Sequence, residues 1–126
     1  MIVVDTDILI WILRGREDII NSFNQKVEIQ NKIMYITPIQ IAEIFAGLRE
    51  NEKIITEKFI RSFNIIDIDI EIGKLSGGYL SKFGKSTNIT LSDSMIAAAT
   101  IVNEMKLWTL NKKHYPMLKD ELFEKD

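Results

Sequence analysis

The start of this chain constrains its fold more than any other stretch. Ile2, Val3 and Val4 form an unbroken β-branched run, Asp5-Thr6-Asp7 interrupts it, and Ile8-Leu9-Ile10-Trp11 follows at once. A short apolar run without alternation predicts a strand buried on both faces. The second run predicts a helix over residues 7–14, with Asp5, Thr6 or Asp7 as its N-cap. A strand passing straight into a helix opens a parallel α/β sheet, and such sheets bind ligands beyond the carboxyl ends of their strands. Asp5 and Asp7 stand at that place. Two roles are open to Asp5 here, helix cap and chemical group.

The remaining 115 or so residues follow the same grammar. Residues 17–31 read as an amphipathic helix, with Ile19, Ile20, Phe23, Val27 and Gln30 in helical steps. Ile33–Ile36 reads as a second buried strand. It runs into Thr37-Pro38-Ile39-Gln40, a helix start signalled by a Thr N-cap, Pro at the first position and Gln three residues on. That helix takes in Gly47, and another covers 51–63. Ile65–Ile68 is a third strand, residues 70–83 a helix weakened by Gly73, Gly77 and Gly78, and 82–86 a loop. Thr90-Leu91-Ser92-Asp93 opens a helix whose three consecutive alanines suit close packing on a sheet. Leu107–Leu110 is a fourth strand, and the tail beyond Pro116 is acidic, with no clear strand pattern. Strands alternating with helices predict one domain over residues 1–126, a mainly parallel sheet of four or five strands covered on both faces.

Composition narrows the chemistry. With no cysteine and one histidine, His114, the chain has neither a disulfide framework nor the ligands of a zinc cluster. No basic segment precedes the first apolar run, and no stretch is long enough to span a bilayer, so the expectation is a soluble, cytoplasmic protein with no membrane partner. A formal net charge of -2 offers no global attraction to nucleic acid, so any such contact must use local basic patches.

Four polar residues follow strands or begin helices in corresponding places. Asp5 follows the first strand. Glu43 lies on a narrow polar stripe, through Gln40, Gly47 and Glu50, of an otherwise apolar helix. Asp93 fits a capping box with Thr90. Asn111 follows the fourth strand, where a plain turn residue would also serve. Each has an ordinary structural reading: cap, solvated stripe, cap and turn. Taken together, a doubly wound sheet brings all four to one edge. Carboxylates gathered without a cationic partner repel one another, and a divalent cation relieves them. An all-oxygen donor set favours Mg²⁺ or Mn²⁺, ions suited to phosphoryl chemistry.

At this point the chain resembles the PIN-domain ribonucleases, above all the VapC-type toxins of prokaryotic toxin–antitoxin pairs. The resemblance lies in Ile2–Ile10, Thr37–Gly47, Leu91–Ala99 and Leu110–Pro116, in that order along nearly the whole chain. It implies a three-layer α/β/α PIN-like domain acting as a metal-dependent endoribonuclease. Asp5, Glu43 and Asp93 match the family's acidic Mg²⁺- or Mn²⁺-binding positions, with Asn111 as a further catalytic position. Thr6, Thr109 and His114 are secondary candidates. Asn111 is neutral where many relatives carry an acid, and His114 also replaces an acid, so one ion is expected rather than two. The resemblance further implies a homodimer, a VapB-like antitoxin and an RNA substrate, whose backbone Lys112, Lys113, Lys82 and Lys85 would contact. Two other readings are open. One is a PIN-like protein-binding module with a decayed site. The other is a haloacid-dehalogenase-like phosphatase, suggested by Asp5-Thr6-Asp7 but continued here by Ile8-Leu9 rather than Gly-Thr.

Overall fold

The structure, a computed structural model, describes residues 1–31 and 33–123. Strands β1 (Ile2–Val4), β2 (Met34–Ile36), β3 (Asn64–Ile65) and β4 (Lys106–Trp108) form a single sheet in the order β3-β2-β1-β4. All neighbouring pairs are parallel. From β1 the chain steps outward to β2 and then β3, and later returns to the other side of β1 as β4. The order therefore reverses between β1 and β4, and a crevice opens at their carboxyl ends.

Among the described residues, six α-helices cover the sheet: α1 (Thr6–Leu13), α2 (Glu17–Ile29), α3 (Pro38–Ala46), α4 (Lys53–Arg61), α5 (Ile70–Thr87) and α6 (Leu91–Val102). β1 shows why there are three layers. Ile2 and Val4 enter a core with Ile8, Leu9, Ile19, Phe63 and Trp108. Val3 enters a second core with Ile72, Ile96, Leu107 and Ala97–Ala99. Residues alternate across a strand, so a strand buried on both faces needs a helical layer against each. The alanines of α6 are fully buried, as close packing requires, and the Ser76 and Ser94 hydroxyls join α5 to α6 at 2.6 Å.

Several boundaries differ from the sequence expectations. Helix α5 runs on through the expected loop at 82–86, so Lys82 and Lys85 project from a helix. It stops at Asn88, whose φ of 57° is left-handed, a conformation Asn tolerates better than most residues. The glycines of α5 weaken helix propensity locally, and its packing against α6 outweighs that. Strand β3 is shorter and earlier than expected and is exposed, with the Ile66 N–H still bonding to the Ile36 carbonyl at 2.8 Å. β4 also begins and ends early, leaving Leu110 outside it. Gly47 caps α3 instead of lying within it. The tail adds one parallel bridge, between Leu107 and Leu122. The last acidic residues, Glu124 and Asp126, lie outside the described residues.

Candidate active site

The crevice between the ends of β1 and β4 is a cleft of about 250 Å³, lined by Asp5, Asp7, Glu43 and Asp93 together with Asn111 and His114. Each sequence candidate arrives by a different element. Asp5 ends β1 and caps α1, its Oδ1 accepting the Thr6 N–H at 2.8 Å. The cap and the site residue are therefore one side chain. Glu43 sits exposed on α3, where its Oε1 accepts the Thr6 hydroxyl at 2.7 Å. Asp93 completes the capping box with Thr90, and His114 Nδ1 stands 3.6 Å from Asp93 Oδ2. Asn111 begins the turn after β4, which continues as a 3-10 helix through Lys112–His114.

Asp5 is held most tightly. Its Oδ1 also accepts the Tyr115 hydroxyl at 3.0 Å, and its Oδ2 accepts the Thr109 hydroxyl at 2.7 Å. Two donors on Oδ1 use both of its lone pairs, whereas Oδ2 keeps one open. Burial, reinforced by the neighbouring charge of Asp7, pushes the Asp5 carboxyl up to about 7, against the opposing hydrogen bonds from Thr109, Thr6 and Tyr115. Burial also raises Asp7. Tyr115 is pushed far up, first by burial and then by the Asp5 charge, and so remains a proton donor.

Three further residues position this site: Asp7, which the sequence places at the strand end without a role, and Tyr115 and Gln40, which it does not single out for the site. Asp7 clamps the two edges of the crevice: its Oδ1 accepts the Ile8 N–H at 2.8 Å and its Oδ2 the Leu110 N–H at 2.9 Å. Tyr115 lies in a matching segment, but its inward direction has no local signal. Gln40 was assigned to the polar stripe of Glu43, yet it is wholly buried. Its Nε2 donates to the Val4 carbonyl at 3.0 Å and its Oε1 accepts the Thr37 N–H at 3.0 Å. It thereby fastens α3 to the residue before Asp5. The capping-box pattern was the available clue, since a Gln folded back on its own helix start cannot also point along the stripe.

Among the described residues, no lysine or arginine lines the cleft. Lys112 and Lys113 lie in the adjoining turn, and Lys82 and Lys85 on the last turns of α5. Among the described residues, no three Asp, Glu or His side chains stand close enough to hold an ion together. The donors ring the cleft rather than meeting at a point. Their chemistry nevertheless fits a hard divalent cation: oxygen ligands, an excess of negative charge, and a buried carboxylate lacking a cationic partner.

The sequence matches the PIN domain family over residues 2–117. The chain belongs to that family. Ribonuclease VapC10 of Mycobacterium tuberculosis is 31% identical over 119 residues, covering 93% of this chain and 87% of the relative. In structure, this PIN domain is similar to a toxin–antitoxin complex from Klebsiella pneumoniae, with a TM-score of 0.81, 23% identity and coverage of 100% of this chain and 98% of the other. VapBC2 from Rickettsia felis, bound to a DNA fragment from its promoter, gives 0.79 and 23%, over 97% and 96% of the two chains. These likenesses establish the three-layer PIN fold. Membership in the family leaves the haloacid-dehalogenase-like reading without support.

Proposed function

We propose that this protein is the toxin of a VapBC-type pair, an endoribonuclease that hydrolyses RNA phosphodiester bonds with Mg²⁺ or Mn²⁺ at the cleft. The observation that carries the reading is the convergence of Asp5, Glu43 and Asp93 on one cleft at the strand-order reversal, in a PIN domain related to a ribonuclease. Asp5, through the open side of Oδ2, Glu43 and Asp93 would hold the ion. A divalent cation bound among them supplies the charge and water activation that phosphodiester hydrolysis requires.

The chain's own groups do the rest. Thr109 and Tyr115 fix the Asp5 carboxylate in one orientation, and Thr6 does the same for Glu43. Asn111 lines the cleft with a neutral amide, which adds a ligand oxygen or a donor without further charge. His114 stands beside Asp93 at the cleft edge, within reach of a backbone phosphate there. The same reading gives the protein a small VapB-like antitoxin and a second copy of itself as partners, and places it in the cytoplasm with its RNA.

The test is cleavage of labelled RNA by the antitoxin-free protein and by Glu43→Gln and Asp93→Asn. Metal-dependent cutting that falls at least about a hundredfold in each variant supports the assignment. Equal activity in both variants removes them from the site. The spacing of the donors favours a second reading, a PIN-like binding module with a decayed site. Mg²⁺ or Mn²⁺ that leaves the melting temperature unchanged, with no cutting, would select it.

A further inference from the structure

We propose that the groove beside the carboxylate cleft carries the single-stranded RNA that flanks the scissile bond, with Arg14 and Arg49 as its phosphate contacts. The proposal rests on the ribonuclease reading above. The groove measures about 410 Å³ and lies among the end of α1, α3 and the start of α4. Glu43 lines both the groove and the cleft, so the two adjoin at that side chain. A polyanion drawn into a cleft that carries four carboxylates and no cation needs positive charge close by. The adjoining groove brings Arg14 and Arg49 to that place, beside the carboxylates of Glu43 and Glu52.

Arg14 and Arg49 are exposed, and neither guanidinium has an ion-pair partner among the described residues. Arg16, by contrast, is committed: it pairs with Asp18 at 2.8 Å and lies over the Trp11 ring at 4.9 Å. Glu52 also faces the groove, where its Oε1 accepts the Arg49 backbone N–H at 3.0 Å and its charge, like that of Glu43, stands beside the two arginines. A free guanidinium suits a phosphate, which it grips with two parallel N–H donors. Ile10, Leu13, Ile44 and Leu48 add aliphatic wall and Thr56 a hydroxyl, and among the described residues no aromatic ring lines the groove for a base to stack on. The groove therefore holds a strand by charge and contributes little to reading its sequence. The four lysines suggested by sequence line neither the groove nor the cleft.

The experiment measures binding of fluorescein-labelled single-stranded RNA by anisotropy, across a KCl series in EDTA, so that binding is separated from cleavage. Each phosphate contact to a single strand contributes about 0.7 to the slope of log K against log salt. Arg14→Gln and Arg49→Gln should each flatten the slope by about that amount, and the double variant by about twice as much, with Lys at either position restoring it. Slopes equal to wild type in all variants, or a wild type that binds no RNA, would overturn the proposal. So would a decaglutamate peptide whose binding depends on both arginines while RNA binding does not, since the groove would then serve an acidic protein segment. RNA binding with both arginine effects but no cutting in Mg²⁺ would refute the nuclease and leave the groove standing. Metal-dependent cutting with unaltered slopes would do the reverse.

Discussion

Asp5 concentrates the physical tension of the molecule, because a buried carboxylate with only neutral donors around it resists ionisation. Its carboxyl rises from 3.8 in the unfolded chain to about 7 in the fold. Between those values the folded state keeps a proton that the unfolded state has lost. The contribution of Asp5 to metal-free stability is therefore complete below pH 3.8 and is lost as pH rises to about 7. Urea unfolding of wild type and Asp5→Asn across this range should show wild type losing stability relative to the variant as pH rises. A difference that grows in favour of wild type would contradict the burial argument. Asn can occupy this position: its oxygen accepts from Thr6 and Tyr115, and its amide donates to Thr109. Asp7 calls for a different pair of variants. Asp7→Asn retains an oxygen for the Leu110 N–H, whereas Asp7→Ala removes it. Hydrogen exchange at Leu110 should stay protected in the first and accelerate in the second. Equal exchange in both would mean that Asp7 does not clamp the crevice. At this scale the gathering of Asp5, Glu43, Asp93 and Asn111 at one cleft was legible from their places just after strands or within the next turn or two of the following helix. Tyr115 and Gln40 were not, because their roles depend on directions that only packing decides.

The helices set the site by the way they begin. Thr90 accepts the Asp93 N–H at 3.1 Å, so Asp93 is presented at the cleft by the same capping box that starts α6. Thr90→Ala should cost about 1 kcal/mol in chemical denaturation, because the Asp93 N–H loses its acceptor while the Thr90 N–H that holds the Asp93 carboxylate remains. An unchanged midpoint would show that the cap is idle. Gln40 acts more deeply, since it ties α3 to β1. Gln40→Leu strands the Val4 carbonyl and the Thr37 N–H in the core, at about 1–3 kcal/mol each, and stability indistinguishable from wild type would exclude this role. Helix starts were legible wherever chemistry marks them, as in Thr37-Pro38-Ile39-Gln40 and Thr90-Leu91-Ser92-Asp93. Helix ends and edge strands were not. Four glycines in α5 suggested an early stop, yet contact with α6 carries the helix to Asn88, and β3 is placed by its bond to β2 rather than by its own apolar pattern.

At the scale of the whole molecule, the strand order β3-β2-β1-β4 is what turns scattered acids into a site. The alternation of strands and helices already pointed to a parallel sheet, and the rule that ligands gather at a strand-order reversal then placed the four candidates together. The groove was invisible in the sequence because Arg14 and Arg49 belong to separate helix ends that reach one groove only after α1 packs on α3. A net charge of -2 gives no hint that two arginines stand beside the acidic cleft. The central claim is that this cleft cuts RNA with a divalent ion. The most direct measurement incubates a mixed RNA pool with antitoxin-free wild type or Asp5→Asn, in Mg²⁺, Mn²⁺ or EDTA. Wild type should cut with either ion and not in EDTA, and a folded Asp5→Asn should not cut at all. Cutting that survives EDTA, or that persists in Asp5→Asn, would contradict that claim.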